Sequence, residues 1–276
     1  MELDAYLARI AYRGGLAPDL ATLSSIVGRQ AEAIPFEAID VLLGKSIDID
    51  LAAVCDKLIA QRRGGYCFEQ NGLLQSALTA LGFSVTARLA RVLWMRPAEA
   101  VPAQATHMAL VVRIAGRDYL VDAGFGNGTP TAPLAFDTAE AQATPLETFR
   151  LRASGDGHVL DMRTGGNWSP VYEILAGTAA PGDLAKANLF TSTHPDSRFR
   201  RDLMLARATT DARFLLLGNR LMTRPARGNA EVRSLDGPEA LGDAFRTVFG
   251  LDVRPEWSGL HARFAPATRP APEPHA

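Results

Sequence analysis

Arg62-Arg63-Gly64-Gly65-Tyr66-Cys67-Phe68-Glu69-Gln70-Asn71 is the stretch on which the fold and the chemistry of this chain turn. Its paired glycines permit a tight entry into a helix predicted from about Cys67 to Leu81. Leu74, Leu78 and Leu81 form the apolar stripe of that helix, and Gly82 is its stop. Cys67 falls in the first turn, where the positive end of a helix favours an anionic sulfur, and Arg62 and Arg63 add positive potential. The same residues also read as an ordinary buried apolar cysteine. The other cysteine, Cys55, shares an apolar face with Leu51 and Ile59 and is predicted to pack in the core. Two cysteines do not make a disulfide framework.

Upstream, helical spacing predicts three further helices. They carry Leu3, Tyr6, Leu7 and Ile10, then Leu20, Leu23 and Val27, then Leu51, Val54, Leu58 and Ile59. Downstream the period changes to two. Phe83, Val85, Ala87 and Leu89 alternate with Ser84, Thr86 and Arg88. The run Met108 to Ile114, Gly116, and Tyr119 to Val121 read together as a hairpin. Short strands are expected at 146–151 and 159–162, then at 203–208 and 214–217, with a helix over 238–249. These patterns divide the chain into a helical bundle (1–82), a β-barrel (83–189), an α/β lid (190–264) and a disordered tail (265–276).

The 276 residues are 47% hydrophobic and 21% charged, with a formal net charge of -1. That balance argues against a dedicated nucleic-acid binder. No run reaches the ~18 apolar residues of a membrane span. The acidic start, Met1 to Asp4, lacks the basic opening of a signal peptide, so the cytoplasm is the expected location.

His107 opens the strand of the predicted hairpin and Asp122 closes its return, which puts them near one level on neighbouring strands. A carboxylate beside an imidazole sets its tautomer and favours its cation, and such an imidazole can take a thiol proton. Cys67, His107 and Asp122 are therefore one possible trio. Backbone satisfaction by His107 and a turn start at Asp122 are the plainer alternative. Asp122-Ala123-Gly124-Phe125-Gly126-Asn127-Gly128 is glycine-rich, but Thr129-Pro130-Thr131-Ala132-Pro133 opposes the helix that a dinucleotide fingerprint requires. It is either a ligand-free turn or a loop whose amides contact a phosphate or a pantetheine arm. The cysteines and histidines have no zinc spacing, and no metal is expected.

Taken together, these motifs resemble the arylamine N-acetyltransferases. The resemblance runs through Pro35-Phe36-Glu37, the cysteine block, Thr106-His107-Met108, Leu120 to Gly126, and Ser192-Thr193-His194-Pro195-Asp196-Ser197-Arg198-Phe199. It implies an α+β fold with an N-terminal helical bundle, a central β-barrel and a C-terminal α/β lid around a cysteine-protease-like Cys-His-Asp core. It implies ping-pong acetyl transfer from acetyl-CoA to arylamines, arylhydroxylamines or arylhydrazines in a cytosolic enzyme. By the same resemblance Cys67 would be the nucleophile, His107 its base and Asp122 the orienting carboxylate. Thr106, Gly124, Phe125, Gly126 and Gly128 would lie along the cofactor. Phe36, Val92, Phe125 and Phe199 would line the acceptor pocket, and Glu37 and Arg63 would form a buried ion pair. Oligomeric state is not implied. Another cysteine-dependent acyltransferase, a transglutaminase-like or thiol-hydrolase enzyme, and a non-catalytic binding protein are the alternatives. Two positions depart from the family pattern. Ala38 stands where an Asn usually follows Pro-Phe-Glu, and Ala11 where a Gly usually precedes the early Tyr12.

Overall fold

Apolar stripes at helical spacing gather the N-terminal third around one core. The computed structural model describes residues 1–96 and 104–264; the tail expected at 265–276 lies outside them. Helices α1 (Leu3–Arg9), α2 (Leu20–Ala33), α3 (Ile39–Leu42), α4 (Leu51–Cys55) and α5 (Cys67–Ala80) occupy this region, with the short strand β1 (Phe36–Glu37). Tyr6, Leu23, Val27, Leu58, Leu74 and Leu78 are buried together. Leu20 and Leu51, each the first residue of its helix, stay exposed. The helix expected to run on to Arg62 instead passes at Asp56–Ala60 into a π-helical turn. Gly82 ends α5 in the left-handed region, φ 87°, as its position predicted.

The strands β2 (Ser84–Val92), β3 (Ala105–Ile114), β4 (Arg117–Val121), β5 (Leu134–Ala135), β6 (Gln142–Ala143), β7 (Thr148–Ser154), β8 (Gly157–Thr164) and β9 (Asn167–Ile174) form one antiparallel sheet. Its order is β5-β4-β3-β2-β9-β8-β7-β6. The end strands meet through a side chain: Ala135 N donates to the Gln142 amide oxygen at 2.7 Å, and Gln142 Nε2 donates to Ala135 O at 2.9 Å. The result is a nearly closed barrel. Alternation along β3 decides which residues go where. Ala109 faces the barrel core with Leu120, Phe149 and Leu160. Met108, Leu110 and Val112 face the helices.

The third region contains α6 (Pro181–Thr193), β10 (Met204–Ala208), β11 (Ala212–Leu217), β12 (Arg220–Pro225), β13 (Glu231–Ser234), α7 (Gly237–Thr247) and α8 (Leu260–Phe264). Its five-stranded sheet has the order β1-β10-β11-β12-β13, so an N-terminal strand forms one edge. Phe245, Phe249 and Trp257 pack on this sheet together with Ile39 and Leu42 from α3.

Strand β9 and helix α6 were not anticipated from the sequence. Pro170 lies inside β9, where a register shift accommodates its missing donor. Helix α6 is largely small and polar, with no continuous apolar stripe to announce it, and it runs through the expected break at 189/190.

Candidate active site

The cysteine block is held from below by main chain. Gly65 N donates to Pro35 O at 3.3 Å, and Glu37 N donates to Gly65 O at 3.1 Å, which ties the loop to β1. A side chain on Gly64 would collide with the Pro35 carbonyl, so this close approach requires glycine. Glu69, in the first turn of α5, accepts from Tyr66 N at 3.0 Å and caps the helix. Its other oxygen accepts from Lys57 Nζ at 2.7 Å. Lys57 also reaches Asp40 at 3.2 Å, and Asp40 meets Arg63 at 2.9 Å. Arg63 in turn donates to Glu37 Oε1 through Nε at 3.0 Å and Nη2 at 2.6 Å. Burial resists ionisation of Asp40, but Lys57 and Arg63 bring its carboxyl down to about 2. The expected Glu37–Arg63 pair is thus one link in a chain of five charges ending at the cap of the cysteine helix.

Cys67 is the first residue of α5 and is 4% exposed. Its Sγ–H donates to the Thr106 carbonyl at 3.8 Å. Cys55 differs: it lies on the outer side of the core, where burial pushes its thiol up. The hairpin turns at Ala115–Gly116, both at positive φ, and pairs Leu110 with Val121. His107 and Asp122 are therefore two residues out of direct register, a diagonal that long side chains span. His107 Nε2 and Asp122 Oδ2 are 2.7 Å apart, in full burial. Burial resists a charge on Asp122. His107, the Asn71 amide and Gly124 N nevertheless hold its carboxyl below the usual range. An ionised carboxylate only accepts, so Nε2 carries the proton and Nδ1 is left for the sulfur. Burial likewise disfavours imidazolium, but Asp122 and the Cys67 sulfur overcome it and push His107 up to about 10.

Asn71 joins these parts. It lies four residues after Cys67, on the same face of α5. Its Nδ2 donates to Met108 O at 2.7 Å and to Asp122 Oδ1 at 2.9 Å, while Ala123 N donates to its Oδ1 at 2.9 Å. One amide thus fixes the cysteine helix, the histidine strand and the aspartate loop together. Gly124 completes the fit, since a Cβ there would lie 2.6 Å from Cys67 Cα.

The aromatic residues form two groups. Phe36 meets Phe199 at 5.8 Å, and Phe199 meets Tyr66 at 5.9 Å. Phe125 stands edge-on to His107 at 5.1 Å and meets Tyr172 at 5.1 Å. Val92 ends β2 directly opposite Tyr172. Gly126 bridges the groups, since a Cβ there would lie 3.3 Å from the Phe36 ring, and Gly128 backs onto the Phe125 ring. Sequence reasoning missed Asn71 and Tyr172. The Cys67–Asn71 spacing was a usable signal for the first. The second sits on the unanticipated strand β9, 4.8 Å from His107 ring to ring, with its hydroxyl buried beside Asp122. Among the described residues, no group of three or more His, Cys, Asp or Glu side chains could hold a metal ion.

The chain is similar to known proteins in sequence and in fold. A family model described as N-acetyltransferase matches residues 19–257. The arylamine N-acetyltransferase of Mycolicibacterium smegmatis is 40% identical over 257 residues, covering 92% of this chain and 93% of the relative. That of Mycobacterium tuberculosis H37Rv is 42% identical over 258 residues, covering 92% and 90%. The chain belongs to the arylamine N-acetyltransferase family. The structure of the Mycobacterium marinum arylamine N-acetyltransferase in complex with CoA superposes with a TM-score of 0.89 at 40% identity, covering 95% of this chain and 98% of that one.

Both departures from the family pattern have local consequences. Ala38 caps α3 without a side-chain bond, and Glu37 Oε2 instead accepts from Ile39 N at 2.8 Å. Ala11 adopts φ 51°, the left-handed conformation that suits the family's glycine. It closes α1 with Tyr12 N donating to Leu7 O at 2.9 Å and Ala11 N to Ala8 O at 3.1 Å.

Proposed function

We propose that this chain transfers acetyl groups from acetyl-CoA to aromatic amines, hydroxylamines and hydrazines through a thioester on Cys67. The observation that carries the assignment is the convergence of Cys67, His107 and Asp122, braced by Asn71. In the first half-reaction the Cys67 sulfur attacks the acetyl carbonyl carbon. The bond from that carbon to the CoA sulfur breaks, and CoA leaves with the proton from His107. In the second, the acceptor nitrogen attacks the thioester, its proton passes to His107, and Cys67 is released as the amide departs. Backbone amides at Cys67 and Phe68, in the first turn of α5, serve as oxyanion donors. Asp122 holds the ring so that Nδ1 faces the sulfur. Family likeness to a CoA-bound relative supports the donor. The pantetheine arm then runs along Thr106 and Gly124 to Gly128, where glycines leave room beside Phe125 and Phe36.

The acceptor slot in this reading is bounded by Phe36, Val92, Phe125 and Phe199. A flat ring enters such a slot with little polar desolvation, whereas an alkylammonium loses hydration and is mostly protonated near neutral pH. The three-part division is kept in this proposal, with the join at 82/83 as expected and the second join moved from 189/190 to the start of α6 so that the helix stays whole. A cytoplasmic location belongs to it as well and rests on the family resemblance. No helix among the described residues is long and apolar enough to cross a membrane.

Mass spectrometry after incubation with acetyl-CoA alone should find one acetyl group, on the peptide carrying Cys67. Acetyl on Cys55, or none under turnover conditions, would refute the assignment. The preformed acetyl-enzyme should then decay much faster with an arylamine than with a matched alkylamine, and Phe125→Ala should narrow that gap.

A further inference from the structure

Arg213, on β11, is among the largest fully buried side chains of the protein, at 2% exposure. Its direct cross-strand partner on β12 is Arg224. Two like charges in that register repel, so the pair needs an anion. Glu147 supplies it. Arg213 donates to Glu147 through Nε at 2.8 Å and Nη2 at 2.7 Å, a forked contact, and Arg224 Nη2 donates to Glu147 Oε1 at 2.7 Å. Burial resists ionisation of Glu147, but the two guanidinium groups hold its carboxyl below the ordinary range.

One carboxylate against two guanidinium groups leaves an excess of donors, and the glycine loop absorbs them. Arg213 Nη1 donates to Gly126 O at 3.0 Å and Nη2 to Thr129 O at 2.7 Å. Arg224 Nη2 reaches Asn127 O at 3.4 Å. Three carbonyls of the loop are thus turned toward the C-terminal sheet. In a planar trans peptide the N–H points opposite to its own C=O. The amides of Asn127 and Gly128 therefore face away from the arginines. Among the described residues neither has a protein acceptor. Gly126 N is used within the loop, donating to Thr129 Oγ1 at 2.8 Å.

We propose that Arg213, seated on Glu147 and helped by Arg224, is a positioning residue for acetyl-CoA: it turns the loop carbonyls away so that the Asn127 and Gly128 amides can bind the donor's pantetheine arm. The proposal rests on the reading that this arm passes along the loop. It assigns to the third region a part in the first half-reaction, although none of its clamp residues touches Cys67 or His107.

Two acetyl donors separate this role from a merely structural one. Acetyl-CoA carries the arm; p-nitrophenyl acetate carries the acetyl group without it. For Arg213→Lys, Glu147→Gln and Arg224→Lys, acylation of Cys67 by acetyl-CoA should fall about tenfold or more in kcat/KM, chiefly through KM. Acylation by p-nitrophenyl acetate should stay within about twofold of wild type. A parallel fall with both donors, or no fall with either, would overturn the clamp. Should Arg213→Lys fail to fold, Arg224→Lys, at a partly exposed side chain, still decides the matter. Hydrogen exchange with CoA, read on the peptide spanning 126–129, tests the underlying reading separately. Protection there in the wild type, weakened in the variants, is the expected result. No protection in the wild type removes the arm from the loop. Protection undiminished in variants with wild-type kinetics removes only the clamp.

Discussion

Asn71 shows how one buried residue can organise a site without acting on the substrate. From its own helix it uses both donor and acceptor capacity on two other segments, strand β3 and the turn after β4. Asn71→Ala leaves Ala123 N unpaired and deprives Asp122 and the Met108 carbonyl of a donor. It should destabilise the protein by about 2–3 kcal/mol and slow CoA release from acetyl-CoA by about a hundredfold. Stopped-flow acylation and urea unfolding read the two effects, and a wild-type rate in the folded variant would exclude a positioning role. Ala11 is the opposite case, a residue under local strain away from the site. Its positive φ costs about 1 kcal/mol that glycine does not incur. Ala11→Gly should therefore raise the urea midpoint with unchanged kinetics, and a lowered midpoint would mean that Ala11 is not strained.

At the scale of elements, the site is a hairpin end laid across a helix start. Strand β3 brings His107, the turn after β4 brings Asp122, and α5 brings Cys67 and Asn71. The pairing of β3 with β4 has a pH signature. His107 is raised to about 10 from an ordinary 6.5, so the native state binds its proton more tightly than the unfolded chain does. Its stabilising contribution is complete below pH 6.5 and is lost as the pH rises through about 10. Asp122 is lowered from 3.8, so its share is present above that value and is lost on acidification. The stability difference between wild type and His107→Gln should therefore shrink steadily between pH 6.5 and 10. Urea unfolding across that range measures it, and a constant difference would mean that the imidazolium is not favoured by the fold.

The whole molecule is knitted across its three regions. Strand β1 pairs with β10, and Ile39 and Leu42 sit in the C-terminal core. Arg207 donates to Glu32 O at 2.7 Å and to Val248 O at 2.7 Å, and Arg213 joins the third region to the glycine loop. The helical core takes in Ala87, Met108 and Ala206, and the C-terminal core takes in Ile39 and Leu42, so neither is complete without residues of another region. Calorimetry should accordingly show one unfolding transition, with van't Hoff and calorimetric enthalpies in agreement. A separate transition for the C-terminal region would show that these links are too weak to couple it.

Helices with continuous apolar stripes, the β3–β4 hairpin and the cysteine block were legible in the sequence, because each depends on local periodicity or on turn chemistry. The family and the trio of Cys67, His107 and Asp122 were legible for a related reason: their motifs are short, contiguous and rich in unusual residue types. Strand β9 was not, because Pro170 interrupts its pattern, nor was α6, whose small and polar residues carry no stripe. The contacts of Asn71, Tyr172 and Arg213 were beyond sequence reading, since a side chain's partners are chosen by elements distant in the chain. The same holds for the split of the aromatic residues between His107 and Phe199. Local spacing determined which elements form and which faces they bury. Only tertiary packing decided which buried polar group meets which, because burial makes each such group find a partner wherever the fold brings one within reach.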